Sequence, residues 1–184
     1  KNADIAIYDS GLFCILIRIF FKKKVKKFSG YLFLKNFINL KYVKRNKILI
    51  IDPSKIESTE NFKYLKNKGF KNITSYIAPN YNKKIKDFKL LKLIKKLKPR
   101  YIIINIGGGT QEPLGIFIKN NSKKKISIFC TGAAIAFLTG RQAPINDFID
   151  RIYLGWFWRI LFDPKKFFSR TLYSITLIKL FFKS

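Results

Sequence analysis

Tyr101-Ile102-Ile103-Ile104-Asn105-Ile106-Gly107-Gly108-Gly109-Thr110-Gln111-Glu112 decides the fold. A near-continuous β-branched run reads as a strand buried on both faces, since a strand with one wet face would alternate apolar and polar residues. The triple glycine that follows turns the chain, and a helix is expected from about Gln111. Working outward, the same unit recurs. Lys47–Ile51 (KILII) reads as a buried strand with a loop at Asp52-Pro53-Ser54, and Glu57–Lys68 as a helix that stops at Gly69. Ile73–Ile77 is a further strand, and Asp87–Leu97 an amphipathic helix ended by Pro99. Ile126–Cys130 closes the series as a strand before a helix over Gly132–Leu138. Strands and helices alternating in this way predict an α/β fold with a doubly wound, mostly parallel, Rossmann-like sheet.

The flanks read differently. Asp4–Tyr8 is short, apolar and bounded by Asp9-Ser10-Gly11, a pattern expected of a buried strand and its exit loop. Leu12–Phe21 is apolar around Arg18, too short for a membrane span of about 20 residues. The basic run Lys22–Lys27 precedes Gly30 and a helix expected through Leu40. After Pro144 strand patterns cease, and Asn146–Phe162 and Pro164–Phe182 read as helices rich in Phe, Trp, Tyr, Lys and Arg. The expected division is therefore an α/β domain over 1–144 and an aromatic, basic helical appendage over 145–184. Along the last helix Phe168, Leu172, Ile175, Ile178 and Phe182 share one side. That pattern suits a membrane interface and equally an ordinary core-packing helix. The chain opens on Lys1 and holds no methionine, which reads as a native start that is missing.

Composition narrows the chemistry. Apolar residues make up 48% of the 184, enough for a folded core despite 38 Lys+Arg against 10 Asp+Glu. The net charge of +28 points to an anionic partner (nucleic acid, lipid or phosphate-rich substrate) or to a solvated lysine coat. No histidine is present and the only cysteines are Cys14 and Cys130, so zinc sites and Ser-His or Cys-His nucleophiles are excluded within this chain. Both cysteines lie in apolar runs and are expected to pack as small hydrophobes. No Asp-x-Asp pair suggests a bound metal, and no cofactor is expected. Nucleic acid is the weaker partner: the basic residues are spread, and no helix-turn-helix, RRM or KH signature accompanies them.

In open parallel sheets ligands sit beyond the carboxyl ends of the strands. Three such ends carry suggestive residues: Asp9, the loop Gly107-Gly108-Gly109-Thr110-Gln111-Glu112, and Thr131-Gly132. Glycines let backbone amides approach a diphosphate at a helix N-terminus, although a plain tight turn needs glycine too. Glu112 fits a ribose-binding carboxylate or a charge at the start of a helix.

These residues together resemble the WecG/TagA/CpsF glycosyltransferases. The glycine loop with Gln111-Glu112 is similar to that family's glycine-rich segment ending in Gln-Glu. Gly132-Ala133-Ala134, Phe137-Leu138-Thr139-Gly140 and Ala143-Pro144 resemble its Gly-Ala-Ala-Phe-Asp-Phe-Leu-Ala-Gly and Arg-Ala-Pro. Leu154–Arg159 resembles Leu-Glu-Trp-Leu-Tyr-Arg, and Asp163-Pro164-Lys165-Lys166 resembles Glu-Pro-Lys-Arg. Near the start, Ala3-Asp4 with Asp9 resembles the strand ending in Asp-Gly, and Lys27 with Gly30 its Arg-Val-x-Gly. Departures stand at Ala136, Gln142, Gly155, Lys27 and Leu32, where the family has Asp, Arg, Glu, Arg and Asp. The family's upstream Thr/Asn substrate contacts have no counterpart here.

The resemblance implies an inverting transfer of an N-acetylmannosamine-type sugar from a UDP-sugar donor to a polyprenyl-diphosphate-linked acceptor. It would take place in cell-surface polysaccharide synthesis, on the inner face of the cytoplasmic membrane. Asp9 would be the general base, its other reading being a loop-capping carboxylate. Lys27, Arg159 and Arg170 would meet the charge on the leaving diphosphate, with Arg141 standing in for the family arginine at Gln142. An inactive relative that binds nucleotide sugar or lipid carrier is the alternative.

Overall fold

In the computed structural model, residues 3–81, 85–122, 125–142, 152–162 and 164–165 are described, Arg159 by its backbone alone. The chain divides into two compact units, one of Lys1–Asp4 and Leu34–Arg141, the other of Ile5–Phe33 and Gln142–Ser184.

The first unit is built on a parallel sheet. Strands β1 (Ile48–Asp52), β2 (Ile73–Ile77), β3 (Tyr101–Ile104) and β4 (Ser127–Cys130) lie in the order β2-β1-β3-β4. Ile48 pairs with Ile73 on one side and Tyr101 on the other, and Tyr101 pairs with Ser127. β1 and β3 are wholly buried, as their unbroken apolar runs require. Helices α3 (Lys55–Asn67), α4 (Phe88–Leu97) and α5 (Gln111–Asn121) make the crossovers, and the short α6 (Ala134–Leu138) follows β4. One face of the sheet carries Leu49, Ile51, Ile102 and Ile104 against Leu90 and Ile94 of α4 and Leu114 and Ile118 of α5. The alternate residues point the other way. There Tyr101 and Phe129 meet Phe37, edge to face at 5.1 and 4.9 Å between ring centroids. Helices on both faces make this the expected doubly wound α/β sheet.

Local chemistry fixes the helix ends. Ser54 caps α3 by accepting the Glu57 N–H at 3.2 Å, and its hydroxyl donates to the Glu57 carboxylate at 2.9 Å. Asp87 caps α4 through Leu90 N–H at 2.9 Å and also takes the hydroxyls of Tyr76 and Tyr81, at 2.7 and 2.8 Å. Burial first, then the Asp87 carboxylate, holds both phenols well above their ordinary range.

The second unit contains α1 (Gly11–Phe21), the basic segment after it, the first turn of α2 (Gly30–Asn39) and α7 (Gly155–Phe162). Ser10 caps α1 by accepting Phe13 N–H at 3.3 Å, and α1 packs against α7. A Cβ on Gly11 would collide with the Tyr153 carbonyl oxygen, so that packing requires glycine. One expectation is overturned here. Residues 4–8 form no strand, and Ile5 is 84% exposed. The apolar pattern has the right residue types, but a strand needs a ladder of a neighbour's hydrogen bonds. Among the described residues the segment's backbone shows one bond of this kind, from Phe28 N–H to the Tyr8 carbonyl at 2.9 Å. The expected helix over 164–182 and the segment 143–151 lie outside the described residues, apart from 164–165.

Candidate functional site

The sheet order reverses between β1 and β3, the place where an open parallel sheet leaves a crevice beyond its carboxyl edge. Side chains from three successive strand ends meet there. Asp52, the last residue of β1, is fully buried; its Oδ1 accepts Asn61 Nδ2 from α3 and Asn105 Nδ2 from the end of β3, each at 2.7 Å. Thr131, after β4, turns its hydroxyl toward Asn105 Oδ1 at 3.5 Å. Asp52 Oδ2 is buried and has no hydrogen-bond partner within 3.5 Å among the described residues. Burial pushes the Asp52 carboxyl up, and Asn105, Asn61 and Ser58 pull it partly back.

Beside this network the glycine loop enters α5. Gln111 is buried, and its Oε1 accepts the Gly132 N–H at 2.7 Å, while Gly132 and Thr131 N–H both reach the Ile104 carbonyl at 3.2 Å. The ends of β3 and β4 are thereby locked into one surface. Gly109 at φ +82° and Gly132 at φ +54° occupy backbone conformations open to glycine. Gly107 and Gly108 have open space where a Cβ would stand, so packing does not explain them. Glu112 closes back on the loop. One oxygen takes Gly109 N–H at 2.8 Å and the other takes Gln111 Nε2 at 2.9 Å. A carboxylate of the chain itself thus occupies the Gly109 amide, at a helix N-terminus that favours negative charge.

Gly132→Ala is expected to destabilise the first unit by roughly 1–2 kcal/mol, the strain of a left-handed L-residue. The Cβ itself meets Gln111 Nε2 no closer than 3.5 Å, so a urea melt of this variant reports backbone strain rather than a clash.

The other expected site residues are placed as follows. Arg141 sits 2.8 Å from Glu60 and 4.0 Å from Glu57, both on α3, so its guanidinium already has carboxylate partners. Asp9 and Lys27 belong to the second unit. Asp9 Oδ1 accepts the Gly30 N–H at 2.6 Å, which brings the Asp9 and Gly30 motifs together at the start of α2. Asp9 itself is exposed. Lys27 donates its backbone N–H to the Tyr153 hydroxyl at 3.2 Å, and its ammonium stands 6.0 Å from that ring's centroid. Arg159 falls in α7 with its side chain outside the described residues, as is the whole of Arg170. Cys14 is buried as expected, but Cys130 is exposed at the sheet's edge. Its strand ends there, and the thiol lies over Gly115 and reaches the Gln111 carbonyl at 3.5 Å. Burial of the thiol, then Glu112, pushes its pKa up to about 11, which leaves it a poor nucleophile.

Sequence reasoning missed Asp52, Asn61 and Asn105. Asp52 carried a readable signal, an acidic residue ending an all-apolar run; Asn61 lay unmarked within a polar helix. Among known proteins, no curated one matches the chain. The family model described as Glycosyl transferase WecG/TagA/CpsF family matches residues 1–183. With that match over nearly every residue, and with a doubly wound sheet presenting the family-like loops at its carboxyl edge, the chain belongs to the WecG/TagA/CpsF family of glycosyltransferases.

Proposed function

We propose that the chain transfers an N-acetylmannosamine-type sugar, with inversion, from a UDP-sugar to a polyprenyl-diphosphate-linked acceptor at the inner face of the cytoplasmic membrane. The observation that carries this reading is the buried Gln111–Gly132 bond, which joins two family-like motifs into one surface beyond β3 and β4. Amides at the head of α5 suit a diphosphate once Glu112 swings away from Gly109. Asp9, held by one oxygen, would take the proton from the acceptor hydroxyl, whose oxygen attacks the anomeric carbon as UDP departs. Lys27, Arg141, Arg159 and Arg170 are the cations proposed to meet the charge that develops on the leaving group.

A second reading is favoured by Glu112 and by Ala136, which is buried where the family has an aspartate. In it the chain binds nucleotide sugar or lipid carrier without transfer. UDP release from UDP-N-acetylmannosamine, measured with and without a polyprenyl-diphosphate-linked acceptor, separates the two. Acceptor-dependent release supports transfer, and donor binding without release supports the binding protein.

A further inference from the structure

Large apolar side chains are unevenly exposed over this molecule. Among the described residues, Leu40, Tyr42, Ile56, Ile77 and Phe88 are the exposed ones of the first unit, and every other belongs to the second. Two of its elements concentrate them. α1 buries Gly11, Cys14 and Leu16 near its start but leaves Ile19 63%, Phe20 41% and Phe21 43% exposed at its end. α7 exposes Phe157, Trp158, Leu161 and Phe162, the i, i+1, i+4, i+5 pattern of one helical face. Phe28, beyond the loop, is 49% exposed.

The charge around α1 has one sign. Arg18, Lys22, Lys23, Lys24 and Lys26 are exposed, and Lys27 is partly so; across Ile5–Phe33 the only acidic residue is Asp9. Lys22 takes a left-handed conformation, φ 54°, that ends α1, so the lysines follow directly on the exposed Phe20 and Phe21. Exposed aromatics beside a run of lysines match a lipid surface with anionic headgroups: rings enter the headgroup–acyl boundary while ammonium groups stay with the phosphates. No helix among the described residues is long and apolar enough to cross a membrane.

We infer that the end of α1 with the Lys22–Lys26 segment is a docking surface for anionic membranes, with the exposed face of α7 supplying further apolar contact. This deepens the membrane placement proposed above and centres its anchor on residues 18–28. It does not depend on sugar transfer.

The test uses the full chain in co-sedimentation with phosphatidylcholine vesicles, with and without phosphatidylglycerol. Binding is expected only where the anionic lipid is present. Replacing Lys22, Lys23 and Lys24 together by Gln should weaken it on the order of 100-fold, since each basic side chain near such a surface contributes roughly fivefold. The same triple replacement at Lys92, Lys95 and Lys96, exposed on α4, should leave it nearly unchanged. Ile19→Ser with Leu161→Ser should remove the fraction that persists at high salt. Equal losses from both lysine triples would reduce the effect to bulk charge and overturn the inference. So would equal binding to both vesicle types, or to neither. Tighter binding to single-stranded DNA, lost in the Lys22–Lys24 variant, would reassign the surface to nucleic acid. A chain that releases no UDP yet binds vesicles as described leaves this inference standing and removes only the proposed transfer.

Discussion

Asp9→Asn should lower acceptor-dependent UDP release by about 10²–10⁴-fold, the range that a positioned general base contributes. The amide keeps an oxygen where Oδ1 now accepts the Gly30 N–H at 2.6 Å, so the start of α2 is preserved and only the proton acceptor is lost. Donor affinity, read by calorimetric titration with UDP-sugar, should therefore stay within about threefold, because the diphosphate contacts proposed at the glycine loop are untouched. Asp9→Ala serves as the structural comparison. It removes the cap as well, and about 1 kcal/mol of stability should go with it. Turnover that survives Asp9→Asn would end the role of Asp9 as base and leave it as the cap that the structure shows.

The second large effect concerns Asp52. Asp52→Ala should destabilise the first unit by roughly 2–6 kcal/mol, because two buried amide donors, on Asn61 and Asn105, lose their common acceptor at about 1–3 kcal/mol each. Asp52→Asn behaves differently. It keeps the acceptor oxygen and removes a charge that burial disfavours. The folded state holds the Asp52 proton to higher pH than the unfolded chain, whose value is near 3.8. Stability from this group is therefore fullest at and below that value, falls as pH rises through the raised folded pKa, and stays low above it. Urea melts across pH 4–8 should show the wild-type chain losing stability relative to Asp52→Asn as pH rises. A difference that is flat with pH, or one that grows in favour of the wild type, would mean that Asp52 is ionised at little cost.

Much of the first unit was legible because its signals are local. Ile73–Ile77 is the strand that its β-branched residues and flanking turn formers predict, and Asp87 caps α4 where the amphipathic pattern starts. Gly69 stops α3 at φ +90°. Apolar runs in β1 and β3 announced burial on both faces, and with alternating helices that left a parallel sheet. Residues 4–8 misled for the complementary reason: the pattern states which residues can form a strand but not whether an edge is there to receive it. The glycine loop was legible as a turn into a helix, whereas Glu112 closing on Gly109 was not, since either of its two readings fits the same sequence.

By itself, the sequence determined the parallel sheet and its helices, because burial and helix or strand period are written into neighbouring residues, and its motifs carried the family resemblance. Tertiary structure alone decided that Asp52, Asn61 and Asn105 form one buried network, that Gln111 locks Gly132, and that Arg141 pairs with α3. Each of these joins residues brought together by chain crossovers, from 9 apart for Asp52 and Asn61 to 81 apart for Arg141 and Glu60. Hydrogen bonds at 2.7–2.8 Å depend on where the backbone sets those side chains, which no local pattern records.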